Sequence, residues 1–392
     1  MIAHQWRRCR TLSLLAAVTS ACGSSDSVAP SDAQACVSDA DCSAGFECTD
    51  EGCAPLTTVQ SLPGCTLTTA GSNCACTQSC ESGSCVGQVC ATVVTSGLES
   101  PTSIYVDSQH VYWTAEGAIQ RSPRLGGAAQ TLTTFAGSAS AITGDATHVY
   151  WAGNTSPEGP GGAHSMAKAG GMSSVLASSP GAIADVAVHD NYLYWAEVDA
   201  GSTFINQSSK QAGVPVVPWG FGPGRPYRLA ASSLALYWAS PTSGRLFRRW
   251  HNSSEVHELS TGTYISDFDA SEQAVAWVEY AGAYAANSFS PAAVSPRRLI
   301  TVEDRECAAG PTTGVRGSEV VVDGQTMYWT GSWQTACGWR TSLYATSIDG
   351  SVHTTLADFW GWMTFDLAQD DAALYMLLRS EADAMILRVR KP

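Results

Sequence analysis

The chain has 392 residues, 44% of them hydrophobic and 14% charged, with 36 Gly, 17 Pro, 14 Cys and 13 Trp. Such a composition can bury a large core and excludes a disordered chain. With 21 Lys+Arg against 35 Asp+Glu the net charge is −14. Only Lys168, Lys210 and Lys391 are lysines, so the basic field that nucleic acid or an anionic membrane surface needs is missing.

Arg7, Arg8 and Arg10 precede an apolar run from Leu12 to Val18 and then Thr19-Ser20-Ala21-Cys22. That is the pattern of an export signal over residues 1–21, ending in a small residue before cysteine. The run falls short of the roughly 18–20 apolar residues that span a bilayer, as does every later stretch, so no transmembrane helix is expected. The Ser-Ala-Cys ending resembles a bacterial lipoprotein signal. That resemblance implies lipidation of Cys22, a tether over 22–35, and an outer-membrane-anchored protein of the cell envelope whose contact with the membrane is the lipid alone. Plain secretion is the alternative.

Setting aside Cys9 and Cys22, twelve cysteines remain: ten between Cys36 and Cys90, then Cys307 and Cys337. Even groups in an exported chain read as five disulfides in a small module over 36–90, plus one staple between Cys307 and Cys337. Cys74, Cys76 and Cys80 are close enough to suggest zinc, but the module has no His and an oxidising compartment favours disulfides. The segment Cys36-x5-Cys42-x5-Cys48-x4-Cys53 resembles the Dickkopf-type cysteine-rich module, and Cys80-x4-Cys85-x4-Cys90 is similar to a related repeat of bacterial surface lipoproteins. Residues 22–100 hold nine acidic side chains and no Lys or Arg. They read as a solvated acidic spacer without EF-hand spacing.

From residue 91 onward one unit recurs, an aliphatic residue followed by an aromatic pair. It is seen at Val111-Tyr112-Trp113, Val149-Tyr150-Trp151, Leu193-Tyr194-Trp195, Leu236-Tyr237-Trp238, Val275-Ala276-Trp277, Met327-Tyr328-Trp329 and Leu374-Tyr375-Met376. A mean step near 44 residues matches a four-stranded propeller blade and not a helical array. Asp107, Asp145, Asp323 and Asp370 stand six residues before the third position of their copies, as a turn Asp between two strands would, bonding the backbone of a tight hairpin. Short strands with regular turns predict an all-β fold, a seven-bladed β-propeller over 91–392 with a six-bladed ring as the alternative. The unit Tyr105-Val-Asp107-x5-Trp113-Thr114 resembles the Tyr-Trp-Thr-Asp propeller repeats of the LDL-receptor class, a family with six blades. The fourth position here holds Ala115, Gly153, Glu197 or Gly331 instead of Asp, so the similarity is one of architecture. The last copy ends at its third strand, Ile386 to Arg390, and Ala91–Ser96 is expected to supply the fourth and close the ring.

Six Trp belong to the repeat and are expected in the core. Of the rest, Trp219, Trp333, Trp339, Trp360 and Trp362 map to the d–a and b–c connections, which share one face of a propeller. Phe221, Arg225, Tyr227 and Arg305 join them. An aromatic loop face with a few Arg suits a carbohydrate or peptide ligand, so these nine residues are the expected ligand-binding set of a monomeric, non-enzymatic protein. Packing beneath their own loops in a structural envelope protein is the alternative. No Gly-x-Ser-x-Gly turn, His-Glu-x-x-His helix or Gly-Lys-Ser/Thr phosphate loop occurs, and no cofactor or metal is expected. Asp304, Glu306 and Asp366 could serve a glycosidase or lyase. His110 and His148 read as solvated turn residues.

Overall fold

The computed structural model describes residues 46–49, 52–55 and 84–392, apart from short stretches at 136, 155–160, 180, 200–201, 212–215, 222–226, 241–243, 262–264, 280–281, 288–296, 301–315 and 336–337. The chain divides into two compact units, Met1–Pro55 and Leu56–Pro392. In the first, Phe46–Thr49 and Gly52–Pro55 form an antiparallel hairpin in which Cys48 stands opposite Cys53. The expected signal peptide, Cys22 and most of the cysteine-rich module, apart from 46–49, 52–55 and 84–90, lie outside the described residues, as do Cys307 and Cys337. Cys90 is disulfide-bonded.

The second unit is all β, built of antiparallel sheets in which consecutive strands pair in chain order, here a to d from the inside out. Six four-stranded sheets cover 104–134, 139–179, 182–221, 228–261, 265–300 and 316–360. We number them blades 1 to 6. Blade 7 takes strands a to c from 363–390 and strand d from Val89–Ser96, beyond which Ser84–Val86 adds a fifth strand. The pairing of Val89–Ser96 with Ala384–Arg390 is antiparallel, Leu387 facing Val93 and Val389 facing Ala91. Joining the first strand to the last removes the free edge that an open array would expose. The sheet therefore reaches further toward the N-terminus than residue 91.

Each inner strand touches the inner strand of the next blade, and that of blade 7 touches that of blade 1. The repeat explains how the blades adhere. Its aromatic pair lies on strand b, where successive side chains point to opposite faces. Tyr112 packs forward into a cluster with Ile142 and Trp151 of blade 2, while Trp113 packs back against Tyr375 and Leu377 of blade 7. The same handover joins Tyr150 to Trp195, Tyr194 to Trp238, Tyr237 to Trp277, Ala276 to Trp329 and Tyr328 to Met376. Every apolar cluster is thus one junction between neighbouring blades. Trp113, Trp195, Trp238, Trp277 and Trp329 are among the largest fully buried side chains.

A second device recurs at the a–b turns. Asp107 Oδ1 accepts from the amides of Gln109 and His110, while Oδ2 accepts from Tyr112 Oη and pairs at 2.7 Å with Lys168, the residue that follows strand c of blade 2. Asp145 does the same with Thr147, His148, Tyr150 and Lys210. Asp370 uses Ala372, Ala373, Tyr375 and Arg124, and Asp323 pairs with Lys391. The turn role expected of these aspartates is present at Asp107, Asp145 and Asp370. The latch to the following blade is an addition, and it employs all three lysines of the chain.

Candidate functional site

The inner strands surround a cavity of about 280 Å3. The position ten residues before the third position of the repeat is Ser103, Ala141, Asp185, Arg228, Asp267, Glu319 and Asp366 in blades 1 to 7; Ser103, Asp185, Arg228, Asp267 and Asp366 line the cavity, and Glu319 reaches Arg228. Four acids therefore encircle one guanidinium. Arg228 Nε is 3.0 Å from Asp267, and Nη2 is 2.6 Å from Glu319 and 3.4 Å from Asp366, so a single side chain gathers carboxylates from three other blades.

Those carboxylates also tie inner strands together. Asp185 Oδ2 accepts from Leu229 N at 2.7 Å, Asp267 Oδ2 from Val320 N at 2.9 Å and Asp366 Oδ2 from Ile104 N at 2.8 Å. In each case the donor is the inner strand of the next blade. The acids stand at register shifts in strand a, where a bulge turns the side chain along the sheet instead of across it.

Burial disfavours charge here and sets the protonation pattern. It pushes Asp185 up to about 7 and Asp269, which also lines the cavity, up to about 6, and it raises Asp267. Glu319 is driven well above the ordinary carboxyl range by burial and by Asp267 beside it. For Arg228 burial opposes the charge, yet Asp267, Glu319 and Asp366 outweigh it and hold the guanidinium charged. Asp366 has both oxygens engaged, with the Ile104 and Leu367 amides and with Arg228, and so ties blade 7 to blades 1 and 4. Asp304 and Glu306 lie outside the described residues. Among the described residues no cluster of three or more His, Cys, Asp or Glu could hold a metal ion.

The expected aromatic set separates into two groups. Trp219 is a correction as a face residue: it is only 9% exposed, with Tyr194 at 5.3 Å, Trp238 at 6.5 Å and the Arg249 guanidinium over its ring at 4.1 Å. It fills the junction of blades 3 and 4. Its neighbours Pro218 and Gly220 suggest a loop, but Val217–Phe221 is an outer strand, where a proline is tolerated. Tyr227 is 56% exposed and directly precedes Arg228. Trp360, at the end of strand d of blade 6, is 41% exposed with the Arg340 guanidinium 5.0 Å from its ring centre, and Arg340 is held by Asp358 at 3.1 Å. Trp339 and Trp362 are half-buried on the same rim. Gly361 N donates to the Trp339 carbonyl, Thr341 Oγ1 donates to the Trp362 carbonyl, and Trp362 packs on the core between blades 6 and 7. Trp333 lies on strand b of blade 6, opposite Arg340 in register. The side chains of Trp333 and Phe221, and all of Arg225 and Arg305, are outside the described residues.

Phe365 and Arg379 escape the aromatic count. Phe365 directly precedes Asp366, is 36% exposed, and carries the Arg379 guanidinium 4.4 Å from its ring centre. Trp360 with Arg340 and Phe365 with Arg379 thus form two stacked cation and aromatic pairs on consecutive blades, at the end where the d–a and b–c connections emerge.

No protein-family model matches the chain, and no curated protein matches it in sequence. A solved structure titled "Crystal structure of Nidogen/Laminin Complex" contains a chain similar to it with a TM-score of 0.45 and 14% sequence identity, over 64% of this chain and 94% of that one.

Proposed function

We propose that the chain is an exported, non-catalytic recognition protein, held at the outer membrane by a lipid on Cys22, whose propeller takes a carbohydrate or peptide on the aromatic face where its d–a and b–c connections emerge. One observation carries this reading: Trp360 and Phe365 stay exposed on adjacent blades, each with a guanidinium against its ring. A flat apolar ring beside fixed donors suits the C–H face of a sugar or a peptide side chain. Trp339, Trp362 and Tyr227, from the same expected set, stand at strand ends and connections of that face.

The test is a glycan and peptide array probed with the chain from Ser31 onward, beside a Trp360→Ala/Phe365→Ala variant. Both rings are exposed, so melting should move by no more than about 0.5–1 kcal/mol of stability. A hit on the parent that the folded variant loses by tenfold or more supports the reading. A hit that survives in the variant, or none at all, removes it.

A further inference from the structure

The latch between neighbouring blades has an acid in the a–b turn and a base after strand c at four junctions: Asp107 with Lys168, Asp145 with Lys210, Asp323 with Lys391 and Asp370 with Arg124. At the junction of blades 3 and 4 the same two positions hold histidines. His189 stands six residues before Trp195, as Asp145 does before Trp151. His251 follows strand c of blade 4, and its amide donates to Leu234 O as that of Lys210 donates to Asn191 O. Their rings are stacked, 4.7 Å apart and 6° from parallel. We infer that this junction is a proton-sensitive latch, closed while the His251 imidazole is neutral and loosened when it is charged.

The surroundings favour the neutral pair. His251 Nε2 lies 2.9 Å from the Ser232 carbonyl, which can accept only, so that nitrogen carries the hydrogen. Its Nδ1 is then an acceptor for Tyr194 Oη at 3.3 Å, a hydroxyl that itself accepts from Gln207 Nε2 at 3.1 Å. A proton on Nδ1 breaks that chain of donors. Across the other latches an acid faces the base and attracts it, whereas the stacked ring of His189 offers a charged His251 no carboxylate. The charged groups around the pair do not offset this. Asp190 Oδ2 is 3.2 Å from His189 Nε2 and can answer one charge, though its side chain is 76% exposed. Glu272, from blade 5, is committed to the Ser233 amide and hydroxyl. Arg249, on the strand that leads to His251, adds positive charge over Trp219.

Burial first, then His189, depresses the His251 pKa. The unfolded chain therefore binds more protons in the window below about 6.5, and the junction loses stability as pH falls through it. Asp107, Asp145 and Asp370 are held below the ordinary carboxyl range by their donors and keep their charge in that window, so their latches stay closed.

The experiment is hydrogen exchange of the full chain at pH 7.5 and 5.5, corrected for intrinsic rates, following peptides from 182–199 and 245–251 against peptides from 363–379 and 118–124, which hold the Asp370 and Arg124 latch and no histidine. Acidification should lower protection at the blade 3 and 4 junction relative to the reference by about tenfold for each pKa unit of depression. His189→Asp/His251→Lys, which installs the latch of the other junctions, should flatten that ratio. His251→Gln, which cannot be charged, should flatten it as well and serves if the double variant does not fold. A wild-type ratio equal at both pH values, or a His251→Gln ratio that still falls as in wild type, overturns the inference.

Discussion

A turn aspartate is ordinarily a local device, yet Asp145 serves two scales with its two oxygens. Oδ1 accepts from the amides of Thr147 and His148 at 2.8 and 2.9 Å, which shapes the hairpin. Oδ2 accepts from Tyr150 at 2.8 Å and pairs with Lys210 at 2.9 Å, which fastens blade 2 to blade 3. Burial works against the charge, but the Thr147 amide, the Lys210 ammonium and the other donors outweigh it and hold the carboxyl well below its ordinary range. A depressed carboxyl contributes stability that is present above its unfolded value near 4 and is lost as pH falls through the folded one. Asp145→Ala should therefore cost about 2–3 kcal/mol at pH 7, because it strands several half-buried donors at once. Lys210→Met should cost about 1 kcal/mol or less, since the turn amides still satisfy the carboxylate. Chemical denaturation at pH 7 measures both. Repeating it at pH 3 should shrink the Asp145→Ala deficit, and equal deficits at the two pH values would contradict the assignment.

Among elements, the closing hairpin makes the sharpest steric demand. Gly87 turns the chain between Ser84–Val86 and Val89–Ser96 at φ +58°, and an added Cβ would stand 2.4 Å from the carbonyl oxygen of Leu356 on blade 6. Gln88 N donates to that same carbonyl at 2.8 Å, and Val86 and Val89 are buried with Leu356 and Phe359. Gly97 has a similar φ of +68° but open space around it. Gly87→Ala should thus lower stability by about 2–3 kcal/mol against about 1 for Gly97→Ala, the difference measuring the close approach and not the dihedral. Thermal melts of the two variants test it. The strand-forming part of this closure was legible, since Ala91–Ser96 aligns with other outer strands. The hairpin before it was not, because three residues on each side of a turn carry no periodicity to read. Trp219 fails for a related reason: Pro218 and Gly220 are turn residues by composition, and an outer strand is where a sheet admits them. The Tyr and Trp of the repeat were legible as core, whereas their pointing to opposite neighbours follows only once the pair is known to lie on strand b.

At the scale of the whole molecule the ring is a mutual arrangement, because the inner strands of blades 3 to 7 each supply one charged side chain to a cluster that no single blade contains. Its members were open to reading as a column, ten residues before the repeat position, where Asp185, Arg228, Asp267, Glu319 and Asp366 recur. They stayed hidden because their common role arises from closure and not from spacing along one strand. Arg228 is the counter-charge to three of them, from blades 5, 6 and 7. Removing it leaves buried carboxylates facing one another, for which breaking a buried pair typically costs about 3–5 kcal/mol. Arg228→Met should lose about that much at pH 8, and the loss should shrink on acidification. The sign follows from the acids: burial raises Asp185 to about 7 and Asp269 to about 6, and a raised carboxyl contributes stability below its unfolded value near 4 that is lost as pH rises through the folded value. Protonation removes the repulsion that Arg228 otherwise offsets, so wild type and variant should converge between pH 8 and pH 5. Denaturant midpoints across that range decide it. A deficit that stays constant with pH would mean that Arg228 contributes by filling space, with the circle of charge incidental to closing the ring.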